Sequence, residues 1–209
     1  MKKIVCYGDS NTYGFNPKIC LRFNEKTRWT GILKKLLANY YELVEEGLNN
    51  RKGFADNPDG LKYNGLKHLP SVLEKYDDVE ILVLAVGVND LQVFYDVTQE
   101  ETERALQAMI SMAQAKNINV ILVPPVILKE AVFNSFFKSH FNQKSIEKSK
   151  EVQSLYQKVA QKMNCYYFDF NLFVEASDTD GLHYDAQAHE IIAERLYSFI
   201  LENFVKSFH

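Results

Sequence analysis

Near one end of the chain stands Ser10, near the other Asp180 and His183 in an Asp-x-x-His arrangement, and between them Asn89 follows Gly87 by two residues. A serine hydroxyl is a weak nucleophile until a base takes its proton, and that base must be held in one tautomer by a third group. His183 is such a base. Asp180 lies three residues earlier, so a turn or a first helical turn brings its carboxylate alongside the imidazole. Acyl transfer also requires donors for an oxyanion, met by backbone N–H groups and often a side-chain amide. Asn89 is placed for that role, with the backbone N–H groups of Ser10 and of the loop near Asn50 as its companions.

The same residues have plainer uses. Ser10 can cap a helix, Asp9 can anchor its own loop, and Asn89-Asp90 can form an Asx turn. His189 follows His183 by six residues, a poor spacing for shared ligation, and reads as structural. His68 and His140 read as surface or satisfied core residues. Arg51 is either a hydrogen-bonding partner of the loops around it or a surface charge. Asn11, Tyr13 and Phe15 follow Ser10 closely, and they either wall a substrate pocket or belong to the core. The segment from Val126 to Phe141 carries Phe133, Phe136, Phe137 and Phe141 without clear period, so it is a lid over the site or a subunit contact.

Positioning such a set falls to the apolar runs. Ile4–Tyr7, Tyr41–Val44, Ile81–Val86, Val120–Val123 and Tyr166–Phe168 lack polar alternation, which suits strands covered on both faces. Between them, helical spacing appears from Trp29 to Leu37, Leu66 to Tyr76, Thr102 to Lys116, Ile146 to Met163 and Ala186 to Phe204. The alternation predicts a five-stranded parallel sheet between two layers of helices, an α/β/α sandwich in one domain over 1–209. Ligands of such sheets bind beyond the carboxyl ends of the strands. There the chain places Gly8-Asp9-Ser10-Asn11, Glu46-Gly47-Leu48-Asn49-Asn50-Arg51, Gly87-Val88-Asn89-Asp90 and Asp180-Gly181-Leu182-His183.

"GDSN" near the start, "GVND" after the third strand and "DGLH" near the end resemble, in order and over nearly the whole chain, the motif blocks of the SGNH (GDSL-type) hydrolases. The tracts "EEGLNNR", "NGLKHLPSVLEKY", "EKSKEVQSLYQKVAQKMNC" and "DGLHYDAQAH" resemble the arylesterase and acyltransferase branch. The resemblance implies a flavodoxin-like sheet of strand order 2-1-3-4-5 and a serine esterase or acyltransferase site. It makes Ser10 the nucleophile, Asn89 an oxyanion donor, Asp180 the orienting acid and His183 the base. Two positions depart from the pattern: Asn11 replaces the leucine after the serine, and Asn50 stands where the second block has glycine. Donation there runs through the backbone N–H, so Asn50 need not abolish it, while its side chain either narrows the site or forces a positive φ that asparagine tolerates better than most residues.

Composition narrows the remaining choices. The 209 residues are 46% apolar and 24% charged, with a formal net charge of -3, which favours a small-molecule ligand over nucleic acid or an anionic membrane as partner; the resemblance implies that this ligand is an ester. No run approaches the roughly 18 apolar residues of a membrane span. The apolar run at Ile4–Tyr7 is too short for a signal-peptide core, so a cytoplasmic protein is expected, with a homo-oligomer open. Cys6, Cys20 and Cys165 lack CxxC spacing and suggest neither a disulfide framework nor a zinc site. No cofactor or metal is expected. Three other functions compete: a carbohydrate O-deacetylase with the same machinery, a flavodoxin-like nucleotide or flavin-binding module, and a metal phosphoesterase using Asp9, Asp180 and His183. Asp9 opposes a phosphate and the loop lacks GxxxxGK[ST], which weighs against the nucleotide module.

Overall fold

The computed structural model describes residues 1–56 and 60–205. Five strands form one parallel sheet: β1 Lys3–Gly8, β2 Glu42–Gly47, β3 Val79–Ala85, β4 Asn119–Leu122 and β5 Tyr166–Tyr167. Their order is β2-β1-β3-β4-β5, as the resemblance implied. Ile4, Val5, Cys6 and Tyr7 of β1, flanked by β2 and β3, are wholly buried, so consecutive residues are covered on both faces.

The covering layers are the helices α1 Ser10–Tyr13, α2 Trp29–Leu36, α3 Gly65–Lys75, α4 Gln99–Gln114, α5 Gln143–Lys162 and α6 Ala186–Phe204. Helix α2 packs on α6, while α3, α4 and α5 pack in succession. Local chemistry sets their starts. Thr98 and Glu101 close a capping box on α4, Asn142 and Ser145 do so on α5, and Asp185 Oδ1 accepts the Ala188 N–H at the head of α6. Among the described residues no helix is long and apolar enough to cross a membrane.

Boundaries differ from the periodicity reading by a few residues, and β2 shows why. The apolar run ends at Val44, yet the strand continues to Gly47. Glu45 is held by Arg28, with Nε 2.6 Å from Oε1 and a terminal nitrogen 2.7 Å from Oε2, while Glu46 Oε1 accepts from Tyr76 at 2.6 Å. Tertiary partners thus let two carboxylates stand in a strand that local polarity would end. The turn of α1 and a two-residue antiparallel ribbon, Phe15–Asn16 with Leu21–Arg22, were not legible as elements.

Candidate active site

Strand β1 ends at Gly8, and the chain turns at once into α1. Asp9 caps that turn, its Oδ1 accepting the Asn11 N–H at 2.9 Å. Burial, reinforced by the nearby Asp90 charge, pushes the Asp9 carboxyl up to about 7. Ser10 is therefore the first residue of a helical turn at the carboxyl edge of the sheet. It is buried.

The loop before α6 brings His183 to it. The Ser177 N–H donates to the His183 carbonyl at 2.8 Å, and the Gly181 N–H donates to the Ser177 carbonyl at 2.8 Å. Gly181 is required there: its φ is +66°, and a Cβ would lie 2.5 Å from both the Lys129 carbonyl oxygen and the Val132 nitrogen. Asp180 Oδ1 accepts the backbone N–H groups of Leu182 at 3.0 Å and His183 at 2.9 Å. Its other oxygen lies 2.6 Å from His183 Nδ1, and His183 Nε2 lies 2.9 Å from Ser10 Oγ. Burial works to raise the Asp180 carboxyl, but the hydrogen bonds from the imidazole and the two backbone N–H groups outweigh it and hold it below its ordinary range. A carboxylate on Nδ1 keeps the proton there and leaves the Nε2 lone pair for the serine hydroxyl.

The loops after β2 and β3 form the opposite wall. Asn89 Nδ2 donates to the Arg51 carbonyl at 3.0 Å, and its Oδ1 accepts from Gln92 Nε2 at 2.9 Å, which fixes the amide and leaves its second N–H without an acceptor among the described residues. Asp90 ties the two loops together, accepting the backbone N–H groups of Gly53 at 2.6 Å, Phe54 at 2.8 Å and Ala55 at 2.7 Å. Arg51 is buried: its guanidinium donates to the Gly8 carbonyl at 3.0 Å and to that of Glu46, over the Tyr7 ring at 4.1 Å. It is a loop fastener, not a surface charge. Asn50 has φ +62°, and neither its backbone N–H nor that of Ser10 has an acceptor among the described residues.

Ser10 and His183 open into a cavity of about 190 Å³. Phe15, Phe136, Phe137 and Phe141 line one side, Asn49, Asn50, Asn89 and Gln92 another, with His140 and Leu182 completing it. The Phe15 and Phe137 ring centroids lie 4.3 and 5.2 Å from the His183 ring. Two larger clefts, of about 570 and 640 Å³, contain neither serine nor histidine in their linings.

Several pocket expectations are corrected. Asn11 does not line the cavity: its Nδ2 donates to the Leu182 carbonyl at 3.1 Å and its Oδ1 accepts the Tyr184 N–H at 3.2 Å, so it clamps the histidine loop to α1. Tyr13 does not line it either, since its ring lies under Arg22 at 4.6 Å. His140 lies in the lining, and Phe133 packs against the core. Asp9 points to Asn11 instead of joining Asp180 and His183, and among the described residues no group of three or more His, Cys, Asp or Glu is placed to hold a metal ion. Gln92 and Asn49 went unrecognised in the sequence. Gln92 alone had a signal, its position three residues after Asn89 on one helical turn.

The profile of the GDSL-like lipase/acylhydrolase family matches residues 4–196. The chain belongs to this family. Membership makes it a carboxylic ester hydrolase. Solved structures agree in fold. Est24, a carbohydrate acetylesterase from Sinorhizobium meliloti, is 25% identical at TM-score 0.89, with 98% of this chain and 100% of that one covered. A carbohydrate acetylesterase family member from the same organism is 26% identical at TM-score 0.88, covering 97% and 98%. The aryl esterase of M. smegmatis, 23% identical at TM-score 0.89 and covering 97% and 99%, shares the fold. No curated protein matches the sequence.

Proposed function

We propose that the protein hydrolyses esters of short acyl groups, or passes the acyl group to an alcohol, through an acyl-Ser10 intermediate. The observation that carries this is the continuous Asp180–His183–Ser10 relay, 2.6 and 2.9 Å long, opening into the cavity. As Ser10 Oγ attacks the ester carbonyl carbon, His183 Nε2 takes the hydroxyl proton. The carbonyl oxygen gains charge facing the N–H groups of Ser10 and Asn50 and the spare N–H of Asn89. The tetrahedral centre collapses, the C–O bond to the leaving alcohol breaks, and His183 returns the proton to that oxygen. A water or a second alcohol then repeats the sequence on the acyl-enzyme.

The cavity is smaller than the usual range of about 300 to 1,000 Å³ for drug-sized ligands, which supports short acyl groups. A second substrate class, the acetylated sugar, is supported by Asn49, whose Oδ1 is buried without a partner in the cavity wall, and by the kinship with Est24. The test is labelling with a fluorophosphonate, followed by peptide mass spectrometry. The expected result is one adduct on Ser10 without added metal, and labelling elsewhere or not at all overturns the reading.

A further inference from the structure

Asn50 stands in the left-handed region at φ +62°, where a residue with a Cβ meets a steric penalty that asparagine bears better than most and glycine escapes altogether. Its side chain is not idle. Asn50 Oδ1 accepts from Lys52 Nζ at 2.7 Å, although Asn50 itself is exposed. Lys52 is 2% exposed, an unusual position for a lysine. Its backbone is fixed on both sides, the N–H donating to the Tyr63 carbonyl at 2.8 Å and the carbonyl accepting the Gly65 N–H at 2.7 Å. Its Nζ lies 5.3 Å from the Tyr95 ring centroid. The donor that holds Asn50 is thus anchored in the interior, while the residue it holds lines the cavity beside Ser10.

We propose that Lys52 is a positioning residue of the oxyanion hole, acting through Asn50: its buried ammonium group grips the Asn50 amide and keeps the backbone in the left-handed conformation that leaves the Asn50 N–H free for the oxyanion. This rests on the acyl-Ser10 reading. Glycine would need no grip, because it enters the left-handed region without a Cβ penalty. Asparagine and a buried lysine two residues on together replace it. The hydrogen bond adds a side-chain restraint at Asn50, the exposed residue between the buried Arg51 and the half-buried Asn49, and a donor must be in place before charge develops on the substrate oxygen.

The experiment is a double-mutant cycle on an aryl acetate, with fluorophosphonate titration of wild-type enzyme to establish Ser10 as nucleophile. Lys52→Met is expected to lower kcat about tenfold, a fraction of the roughly 10²- to 10³-fold that loss of a whole donor costs, with KM changed less than twofold. In the Asn50→Gly background, whatever activity that background sets, adding Lys52→Met is expected to change kcat less than twofold. Should Lys52→Met fail to fold, Asn50→Ala at the exposed position decides: it removes the acceptor and, lacking asparagine's tolerance of the left-handed region, is expected to lower kcat at least about tenfold. Equal losses from Lys52→Met in both backgrounds would give Lys52 a general structural role and overturn the proposal. Wild-type kcat in Lys52→Met or in Asn50→Ala overturns it as well. Absence of wild-type labelling at Ser10 instead strikes the acyl-Ser10 reading, which separates the two failures.

Discussion

His183 Nδ1 and Asp180 Oδ2 lie 2.6 Å apart, while the second oxygen of Asp180 is engaged by the backbone N–H groups of Leu182 and His183. The carboxylate therefore has acceptor work on both oxygens. Asn in its place fails in either orientation. With the amide nitrogen toward the ring, Nδ1 must accept and the proton moves to Nε2. With the nitrogen toward the backbone, two donors meet a donor. Asp180→Asn is expected to lower kcat on the order of 10⁴-fold with the circular dichroism spectrum unchanged. A loss under tenfold would remove Asp180 from the relay.

Ser10 Oγ and His183 Nε2 share one hydrogen bond at 2.9 Å, and in the proposed mechanism they act on the same proton, so their losses should not add. Ser10→Ala and His183→Ala are each expected to lower kcat on the order of 10⁶-fold, and the double variant no further. Steady-state kinetics on an aryl acetate measures this. Retention of a tenth of wild-type activity by Ser10→Ala is incompatible with an acyl-Ser10 intermediate.

Asn89 is expected to act in the transition state. Asn89→Ala should lower kcat roughly 10²- to 10³-fold and leave KM nearly constant. Gln92→Ala, which frees the Asn89 amide, should give a smaller loss of the same kind. A raised KM at constant kcat for Asn89→Ala would make the residue a ground-state substrate contact.

Phe137 touches the Phe15, Phe136 and His183 rings, with centroids 6.0, 5.5 and 5.2 Å away, and so closes the apolar side of the cavity. Acetyl and butyryl esters are expected to show higher kcat/KM than esters of ten carbons or more. Phe137→Ala should raise the long-to-short ratio by about tenfold or more, on the scale at which pocket size discriminates methylenes. A wild-type preference that climbs steadily with chain length would point to an open groove instead.

Asp9 links the site to stability. Its carboxyl rises from an ordinary 3.8 to about 7 on folding, chiefly through burial. The folded protein therefore binds a proton that the unfolded chain releases. The stabilisation is full below about 4 and is lost as pH rises through about 7, an effect on the order of 4 kcal/mol at 1.36 kcal/mol per unit. Asp9→Asn removes that proton uptake, so wild-type Tm minus variant Tm should fall between pH 5 and pH 8. His189, whose imidazole burial lowers to about 3, is present in both proteins and works in the opposite sense, losing stability as pH falls below 6.5. A Tm difference constant across that range would show that Asp9 does not titrate there.

The layer order and the gathering of Ser10, Asp180 and His183 were readable from residue order and the motif blocks. Uninterrupted apolar runs such as Ile4–Tyr7 have to be covered on both faces, and strands and helices in alternation put Ser10 and His183 at one sheet edge. The motif blocks then set which polar residues meet there. The resemblance also marked the departure at Asn50, and the structure decided between its two readings by giving that residue φ +62°.

Which side chains face the cavity was decided only by the tertiary structure. Loops have no period, so the direction of a side chain within them follows from contacts made across the sheet edge. Asn11 turns to the Leu182 carbonyl and the Tyr184 N–H more than 170 residues away, and Tyr13 lies beneath Arg22, while Phe136, Phe137 and His140 arrive from the connection after β4. Charge burial is hidden in the same way. Arg51 reads equally as a loop partner or a surface charge, and both it and Lys52 are interior, with carbonyls of β1 and β2 and the Asn50 amide oxygen accepting hydrogen bonds that water would otherwise accept.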